Sequence, residues 1–451
     1  MFIGFDYGTA NCSVAVMEQQ TPRLIPLEGD SYFIPSTLCA PTRESVSEYL
    51  YRFFKLTPTD PLGEQLLRSA IAANRDEGIE LVPGDLMFGQ AALSCYLDDP
   101  EEVYYVKSPK SFLGATGLRD VQIRFFEDLV CAMMANIKQQ AESHLQQDIT
   151  QTVIGRPVNF QGLGGDKANQ QAEAILRTAA TRAGFTDIAF QFEPVAAGLD
   201  YESQLTEDKT VLVVDIGGGT TDCSLLRMGP SYRDQADRKN SLLGHSGCRV
   251  GGNDLDIYLA FEELMPAFGK GSKTERGIEM PVTQFWNPIA INNVAAQTDF
   301  YASSNRRVIE QLIRDAQHPE RLSRLLAVHQ QTLGYQIVRH AEEAKIALSQ
   351  TQEVTSSIPL SGQQVASSIS QQQLEAAIAT PVNKIVDLVR DALAQASEKP
   401  DVIYMTGGSA RSPILRALME RELPGVPVVV GDFFGSVTAG LARDAQKVFS
   451  H

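Results

Sequence analysis

The sequence predicts an α/β fold of two duplicated lobes, and three observations predict it. A strand–turn–strand segment rich in Gly and Thr occurs twice. The strands around these segments are spaced by amphipathic helices. At 451 residues the chain is also too long for one ordinary core, so two or three domains are expected. The first copy runs from Phe2 to Met17 with Asp6-Tyr7-Gly8-Thr9-Ala10-Asn11 at its turn; the second runs from Val211 to Met228 with Asp215-Ile216-Gly217-Gly218-Gly219-Thr220-Thr221-Asp222. Each reads as a buried strand ending in Asp, a tight turn, and a second apolar strand through Cys-Ser.

The elements follow in order. After the first hairpin, residues 22–35 read as turns and a third strand. Residues 41–85 become helical, with Val46, Leu50 and Phe53 on one face and Leu62, Leu66, Ala70 and Ala73 on a second stripe, the two helices broken at Pro58-Thr59-Asp60-Pro61. Such stripes read as packing. A long amphipathic helix spans residues 121–146 and leads to a strand at Thr152-Val153-Ile154-Gly155. Gly162-Leu163-Gly164-Gly165-Asp166-Lys167 then precedes a helix ending at Ala183. A glycine-rich turn there can bind phosphate, but the GxxxxGK[ST] spacing is absent and Asp166 fits a helix N-cap. Strand, helix and strand continue through Phe192 to Gly198, and the second hairpin follows. Beyond Gly252 lies a mixed region with a polar, flexible stretch from Gly269 to Lys273 and helices carrying Ile309, Leu312, Ile313, Leu322, Leu325 and Leu326. The Gln/Ser-rich run from Ser361 to Gln373 approaches low complexity. A final strand at Val402-Ile403-Tyr404-Met405 ends in Thr406-Gly407-Gly408-Ser409, followed by a helix and a short strand–helix unit.

Composition narrows the class. A content of 43% hydrophobic and 21% charged residues is that of a soluble globular protein. A net charge of −16 argues against nucleic acid or an anionic membrane as a partner. The six cysteines, Cys12, Cys39, Cys95, Cys131, Cys223 and Cys248, have no CxxC spacing and read as reduced thiols. The N-terminal segment lacks the basic and apolar parts of a secretion signal, and no apolar run reaches membrane-spanning length; a cytoplasmic protein is expected.

The duplicated turns carry the chemistry. Glycine lets backbone N–H groups approach phosphate oxygens, and a carboxylate at a strand end can order magnesium-bound water. Asp6, Asp215 and Asp222 occupy such places, Gly8, Ala10, Asn11, Gly217, Gly218 and Gly219 form the turns, and Thr9 and Thr220 add hydroxyls. Two facing turns would grip one triphosphate, as in an ATP clamp. Glu193, before Pro194, is a candidate to orient an attacking water, although Glu-Pro is also an ordinary helix start. Glu342, Lys345, Ile346 and Ser349 share one helix face and can meet ribose and adenine edges; the same pattern also suits a solvated ion-pair face. Gly407-Gly408-Ser409-Ala410-Arg411 opens a helix after a strand, so backbone can approach a flat base and Arg411 can stack on it.

These segments, in this order, resemble the nucleotide-binding half of the DnaK-type heat shock protein 70 family, within the actin and sugar-kinase superfamily. Gly251-Gly252-Asn253-Asp254 resembles a further cleft element of that family. The resemblance implies an actin-like ATPase fold with two lobes around a nucleotide cleft, each with an outer subdomain. Lobe I is set at residues 1–209 with its outer subdomain at about 39–106, and lobe II at 210–451 with its outer subdomain at about 252–380, the C-terminal helix packing back on lobe I. It implies ATP or ADP and Mg2+ as cofactors, with Asp6 and Asp215 holding the metal through water. Asp6, Glu193, Asp215, Thr220 and Asp222 take catalytic roles, and Gly252 joins the cleft residues named above.

Three departures from the family pattern are read. Leu93, in Gly89-Gln90-Ala91-Ala92-Leu93, stands where the family's phosphate-contacting lysine is expected, with Lys107 or Lys110 as cations that could fill the gap. Both outer subdomains are enlarged. No apolar linker or peptide-binding β-sandwich follows Ala439-Gly440-Leu441-Ala442. The expected function is Mg-ATP binding with slow or absent hydrolysis, coupled to lobe opening and closing in a chaperone-like protein. A small-molecule kinase of the same superfamily and a non-hydrolysing nucleotide-gated scaffold are the alternatives. Nucleotide is the expected partner, with protein clients or co-chaperones on the outer subdomains and neither nucleic acid nor membrane.

Overall fold

The structure, a computed structural model, describes residues 1–100, 102–160, 165–233, 241–360, 362–431 and 435–450. Its strands in chain order are β1 (Phe2–Tyr7), β2 (Asn11–Glu18), β3 (Thr21–Leu24), β4 (Ile34–Pro35), β5 (Thr37–Ala40), β6 (Met87–Phe88), β7 (Tyr104–Lys107), β8 (Gln151–Arg156), β9 (Asp187–Phe192), β10 (Lys209–Ile216), β11 (Thr221–Met228), β12 (Leu242–Cys248), β13 (Glu353–Leu360), β14 (Gln363–Ser370), β15 (Val402–Thr406) and β16 (Val428–Val430). With the helices between them they make the mixed α/β class that the sequence predicts.

The two larger sheets repeat one plan. The first has the order β3-β2-β1-β8-β9 with β4 added beside β2, and the second the order β12-β11-β10-β15-β16. In each, the first hairpin strand pairs antiparallel with its partner and parallel with a strand reached by a long crossover: β1 with β2 and β8, β10 with β11 and β15. Strands flanked on both sides and covered on both faces must be apolar almost throughout. Accordingly Ile3, Phe5 and Tyr7 of β1, and Val211 to Val214 of β10, are fully buried. Smaller sheets have the orders β6-β5-β7 and β13-β14.

The chain forms two compact units. One comprises Met1–Tyr96, Val103–Gly252 and Ile385–His451; the other comprises Leu97–Glu102 and Asn253–Lys384. The first unit contains both larger sheets and the three-stranded sheet. Its core joins Val153 of β8, Val211 and Val213 of β10, Val402 and Tyr404 of β15, Ala196 and Ala197 of the helix Glu193–Glu202, and Val437, Leu441 and Ala445 of the helix Gly435–Phe449. Burying one side chain such as Leu441 is worth about 1.5–3 kcal/mol. The helix Gly435–Phe449 lies on β1, β2, β8 and the helix Glu193–Glu202. Small residues permit the contact: a Cβ at Gly440 would fall 1.7 Å from the Ala196 carbonyl oxygen, and one at Gly4 would fall 2.2 Å from the Ala442 nitrogen. The second unit buries Phe268, Phe285, Phe300, Leu322 and Leu325, and its helix Gly334–Leu348 packs on β13 of the β13–β14 hairpin.

Several expectations change in detail. Of the expected stripe Leu62, Leu66, Ala70 and Ala73, the helix Pro61–Asp76 fully buries only Ala70, and it turns Leu67 and Asn74 inward beside it. Asn74 turns inward because Glu48 Oε2 accepts its Nδ2 at 2.6 Å and Thr42 donates to its Oδ1 at 2.7 Å, which satisfies the buried amide. The helix after the glycine-rich turn begins at Gly165, which places Asp166 inside its first turn, not at its cap. A carboxylate there complements the helix dipole. Gly162, Leu163 and Gly164 lie outside the described residues. The stretch from Gly269 to Lys273 is a hydrogen-bonded turn, with Ser272 buried and Lys270 paired to Glu262. Most of the Gln/Ser-rich run folds, as β14 and the helix Gln371–Ala377, because Val365 and Ile369 bury one face of the strand; Ser361 lies outside the described residues.

Candidate active site

The two hairpin turns meet each other. A Cβ at Gly218 would lie 2.6 Å from the Ala10 Cβ and 3.0 Å from the Ala10 nitrogen, and one at Gly219 would lie 2.7 Å from Thr9 Cγ2. Only glycine permits that approach without moving the facing backbone. Within the second turn, the Gly217 N–H donates to the Thr220 carbonyl (2.9 Å), and the Gly217 carbonyl accepts the Gly252 N–H (2.9 Å). The turn after β15 closes against the same place. Gly407 has φ +85°, and a Cβ on it would fall 2.4 Å from the Ile216 carbonyl and 2.6 Å from Asp215 Oδ1. Gly408 and Arg411 are exposed, and Ser409 Oγ lies where a Gly252 side chain would begin.

Register brings the carboxylates together. Asp6 stands opposite Ser13 across β1–β2, and Asp215 opposite Asp222 across β10–β11. Asp222 Oδ1 accepts the Val158 N–H at 2.7 Å. Glu193, the first residue of its helix, accepts a hydrogen bond and an ion pair from Lys110 Nζ at 2.5 Å. Lys110 is 4% exposed and also reaches the Gly155 carbonyl (3.5 Å). It sits on the single turn Pro109–Phe112 that follows β7. Ser108 enters that turn in the left-handed region at φ 58°, fixed by its N–H on the Ser36 carbonyl (2.7 Å).

The electrostatics follow from one cation among four carboxylates. Burial and the neighbouring charge of Glu193 push Asp6 up to about 7, with Lys110 opposing. Burial, then Glu193, Asp222 and Asp6, hold Asp215 well above the ordinary carboxylate range. Burial and Glu193 raise Asp222 as well, against the backbone N–H groups of Val158 and Asn159. Burial alone would depress Lys110, but the charges of Glu193 and Asp6 outweigh it and hold the ammonium protonated.

Of the two cations that the sequence offered for the place left by Leu93, Lys110 is the one that reaches Glu193. The cation at Glu193 comes from the turn after β7, whereas Leu93 is a half-buried residue of the helix Gly89–Asp98 that covers the three-stranded sheet. The Leu93 gap is therefore corrected: a lysine does occupy the carboxylate cluster. Lys107 and Lys110 are only three residues apart, and no local signal separates them. Burial against Glu193 does.

The family model described as Hsp70 protein matches residues 121–275 and 305–424, more than half of the chain. The chain belongs to the Hsp70 family. A curated relative, "Chaperone protein dnaK" of Emiliania huxleyi, is 25% identical over 304 residues, covering 62% of this chain and 39% of that relative. The chain thus spans about two fifths of the length of the curated relative it matches. The mixed α/β architecture agrees with an Hsp70 fold. Glu193, Asp215, Thr220, Asp222, Glu342, Lys345 and Gly407 fall inside the matched residues; Asp6 and Lys110 precede them.

The remaining site candidates of this Hsp70-family chain lie in the second unit. Glu342, Lys345 and Ile346 are on the helix Gly334–Leu348, with Ser349 as its C-cap. Lys345 Nζ pairs with the buried Asp256 at 2.6 Å, and Glu342 with Arg339 at 3.5 Å. Ile346 is 58% exposed. Ser349 Oγ donates to the Ile346 carbonyl at 2.6 Å. Among the described residues, no group of three or more His, Cys, Asp or Glu side chains is arranged to hold a metal ion.

Proposed function

We propose that this Hsp70-family chain binds Mg-ATP at its paired hairpin turns and hydrolyses it slowly, as the nucleotide-dependent switch of a chaperone-like protein. The observation that carries the reading is the buried Lys110–Glu193 pair beside Asp6, Asp215 and Asp222, set where two glycine turns touch. Asp6, Asp215 and Asp222, each raised first by burial, stand with Glu193 around one lysine, and such carboxylates can hold a divalent cation through its waters instead of by direct ligation. Asp6 and Asp215 would hold magnesium through its waters, and the ion would neutralise charge on the β- and γ-phosphates. Backbone N–H groups of the turns would bind phosphate oxygens, with Thr9 and Thr220 beside them. Glu193 would orient the attacking water, and Lys110 would place positive charge beside the transferring group. Asp222, steadied by Val158 N–H, would complete the acidic wall.

Glu342, Lys345, Ile346 and Ser349, with Gly407 to Ser409 and Arg411, are proposed for the ribose and purine. The motifs also carry a likeness to the bacterial chaperone-like protein YegD. In this reading residues 1–209 and 210–451 act as lobes that open and close with nucleotide state, protein clients or co-chaperones bind the outer subdomains, and the setting is cytoplasmic.

Isothermal titration calorimetry of the full chain with Mg-ATP tests the reading. Saturable binding is expected, weakened more than about tenfold in Asp215→Asn, which no longer orders magnesium water. No heat with wild type, or equal affinity in the variant while circular dichroism is unchanged, would remove the proposal.

A further inference from the structure

The three-stranded sheet of the first unit and the helix that covers it bring two cysteines face to face. Side chains alternate along β5, so Thr37 and Cys39 share a face. Thr37 Oγ1 donates to the Gly89 carbonyl (2.8 Å) at the head of the helix Gly89–Asp98, so that face is the one the helix covers. On the helix, Ala92, Cys95 and Tyr96 follow at i, i+3 and i+4 and form one stripe; Ala92 and Tyr96 are buried. Tyr105, opposite Cys39 on β7, stacks on Tyr96 with ring centroids 4.5 Å apart. This packing sets helix residue 95 over strand residue 39, and the two thiols share a hydrogen bond. Cys12 meets Ser36 at 3.1 Å, and Cys223 hydrogen-bonds Ser246, with Cys248 also near it.

We propose that Cys39 and Cys95 form a redox-active pair that hydrogen peroxide closes to a disulfide and a dithiol reopens. Exposure divides the roles. Cys39 is 1% exposed, out of reach of a solvent oxidant but placed against Cys95, so it takes the resolving position by contact, although its burial slows the attack. Cys95 is half-buried and open to a small oxidant. In the first step the Cys95 sulfur gives up its thiol proton and attacks one peroxide oxygen. An S–O bond forms, the O–O bond breaks, and the departing hydroxide takes the proton that Cys95 gave up to become water. In the second step the Cys39 sulfur attacks the Cys95 sulfur. The S–S bond forms, the S–O bond breaks, and the leaving hydroxide takes the Cys39 proton. Two thiols are oxidised and one peroxide is reduced to two waters.

The position gives the link mechanical reach. β5 continues from Ser36, whose hydroxyl donates to the Gly8 carbonyl (2.6 Å) and whose carbonyl holds Ser108 (2.7 Å) at the start of the Lys110 turn. A bond between residues 39 and 95 braces the sheet from which that turn hangs. The proposal stands on packing alone and does not depend on the nucleotide reading.

The test uses the reduced full chain, treated with hydrogen peroxide, quenched with iodoacetamide, digested without reductant and analysed by mass spectrometry. The expected result is a dominant Cys39–Cys95 linked peptide that disappears with dithiothreitol, with two thiols lost from the denatured count. Cys95→Ser should abolish the link, and Cys39→Ala should leave Cys95 as sulfenic or sulfinic acid. Wild-type Cys95 passing to sulfinic acid without a link would overturn the proposal, as would cross-links through other cysteines or between chains. A thermal melt of each variant separates loss of the pair from loss of the fold: a link still absent in wild type that melts cooperatively counts against the proposal whatever the variants do.

Discussion

The two hairpins share one design, and the residue opposite each strand-ending aspartate shows how far they have diverged. Across β1–β2, Asp6 faces Ser13; across β10–β11, Asp215 faces Asp222. Ser13 spends its hydroxyl on Thr438 Oγ1 at 2.5 Å, a buried bond to the helix Gly435–Phe449. Asp222 instead stays within the carboxylate cluster, held by a backbone N–H. One copy is anchored to the scaffold at this position and the other adds a carboxyl group to the site. Duplication repeats a backbone, while function depends on what each equivalent side chain meets.

The largest expected effect falls on the cation that neither hairpin supplies. In single-turnover hydrolysis with saturating Mg-ATP, Lys110→Ala should slow phosphate release by roughly two to three orders of magnitude while nucleotide still binds, because the lost charge acts mainly on the transition state. A rate within a factor of three of wild type would place the chemistry elsewhere. Next come the turn glycines, where the two copies should fail differently. Gly218→Val pushes against Ala10 of the facing turn and should weaken Mg-ATP binding by about tenfold or more, with a smaller fall in the melt than the matching change in the first turn. In Gly8→Val the new side chain meets the Asn11 carbonyl of its own hairpin, only 2.2 Å from the Cβ position. That variant should melt earlier, and calorimetric and thermal data that fail to separate the two would break the comparison.

Ser13→Ala probes the anchoring role. It removes the buried Ser13–Thr438 hydrogen bond and should cost about 0.5–1.5 kcal/mol in urea unfolding, with hydrolysis by the folded fraction unchanged. A catalytic defect at normal stability would mean that both copies act in the chemistry. The smallest effect belongs to Leu93→Lys. With Lys110 already on Glu193, an added lysine on the helix Gly89–Asp98 should leave the hydrolysis rate unchanged and stability within about 0.5 kcal/mol; an accelerated rate would restore the catalytic gap once read at that position.

What could be read from the chain alone was whatever repeats or alternates locally. The hairpins stood out because an apolar strand, an Asp and a glycine turn occur together within a few residues, twice. The β8 strand and the long helix Asp120–Leu145 stood out by periodicity. Lys110 could be named only as one of two lysines, since Tyr104-Tyr105-Val106-Lys107-Ser108-Pro109-Lys110 carries no local mark of burial and its partner is 83 residues away. Asn74 misled for the opposite reason. A polar residue on a helical stripe reads as solvent-facing until a distant Glu48 supplies its hydrogen bond. The thiol pair was hidden likewise, because helix-to-strand contacts leave no trace in spacing.

The helix Gly435–Phe449 has a consequence for how the chain is made. It covers β1, and Ser13 and Thr438 are 425 residues apart in the chain. Until the last of those residues has emerged, the face of β1 that will receive Leu441 and Ala442 stays uncovered, with fully buried native positions such as Ile3 and Val14 in strands still lacking that cover. Contacts so far apart in sequence form late and slowly. Synthesis therefore leaves a long interval in which the nascent chain shows apolar strand surface, and a chain of a chaperone family should itself be a substrate for holding factors during its own translation.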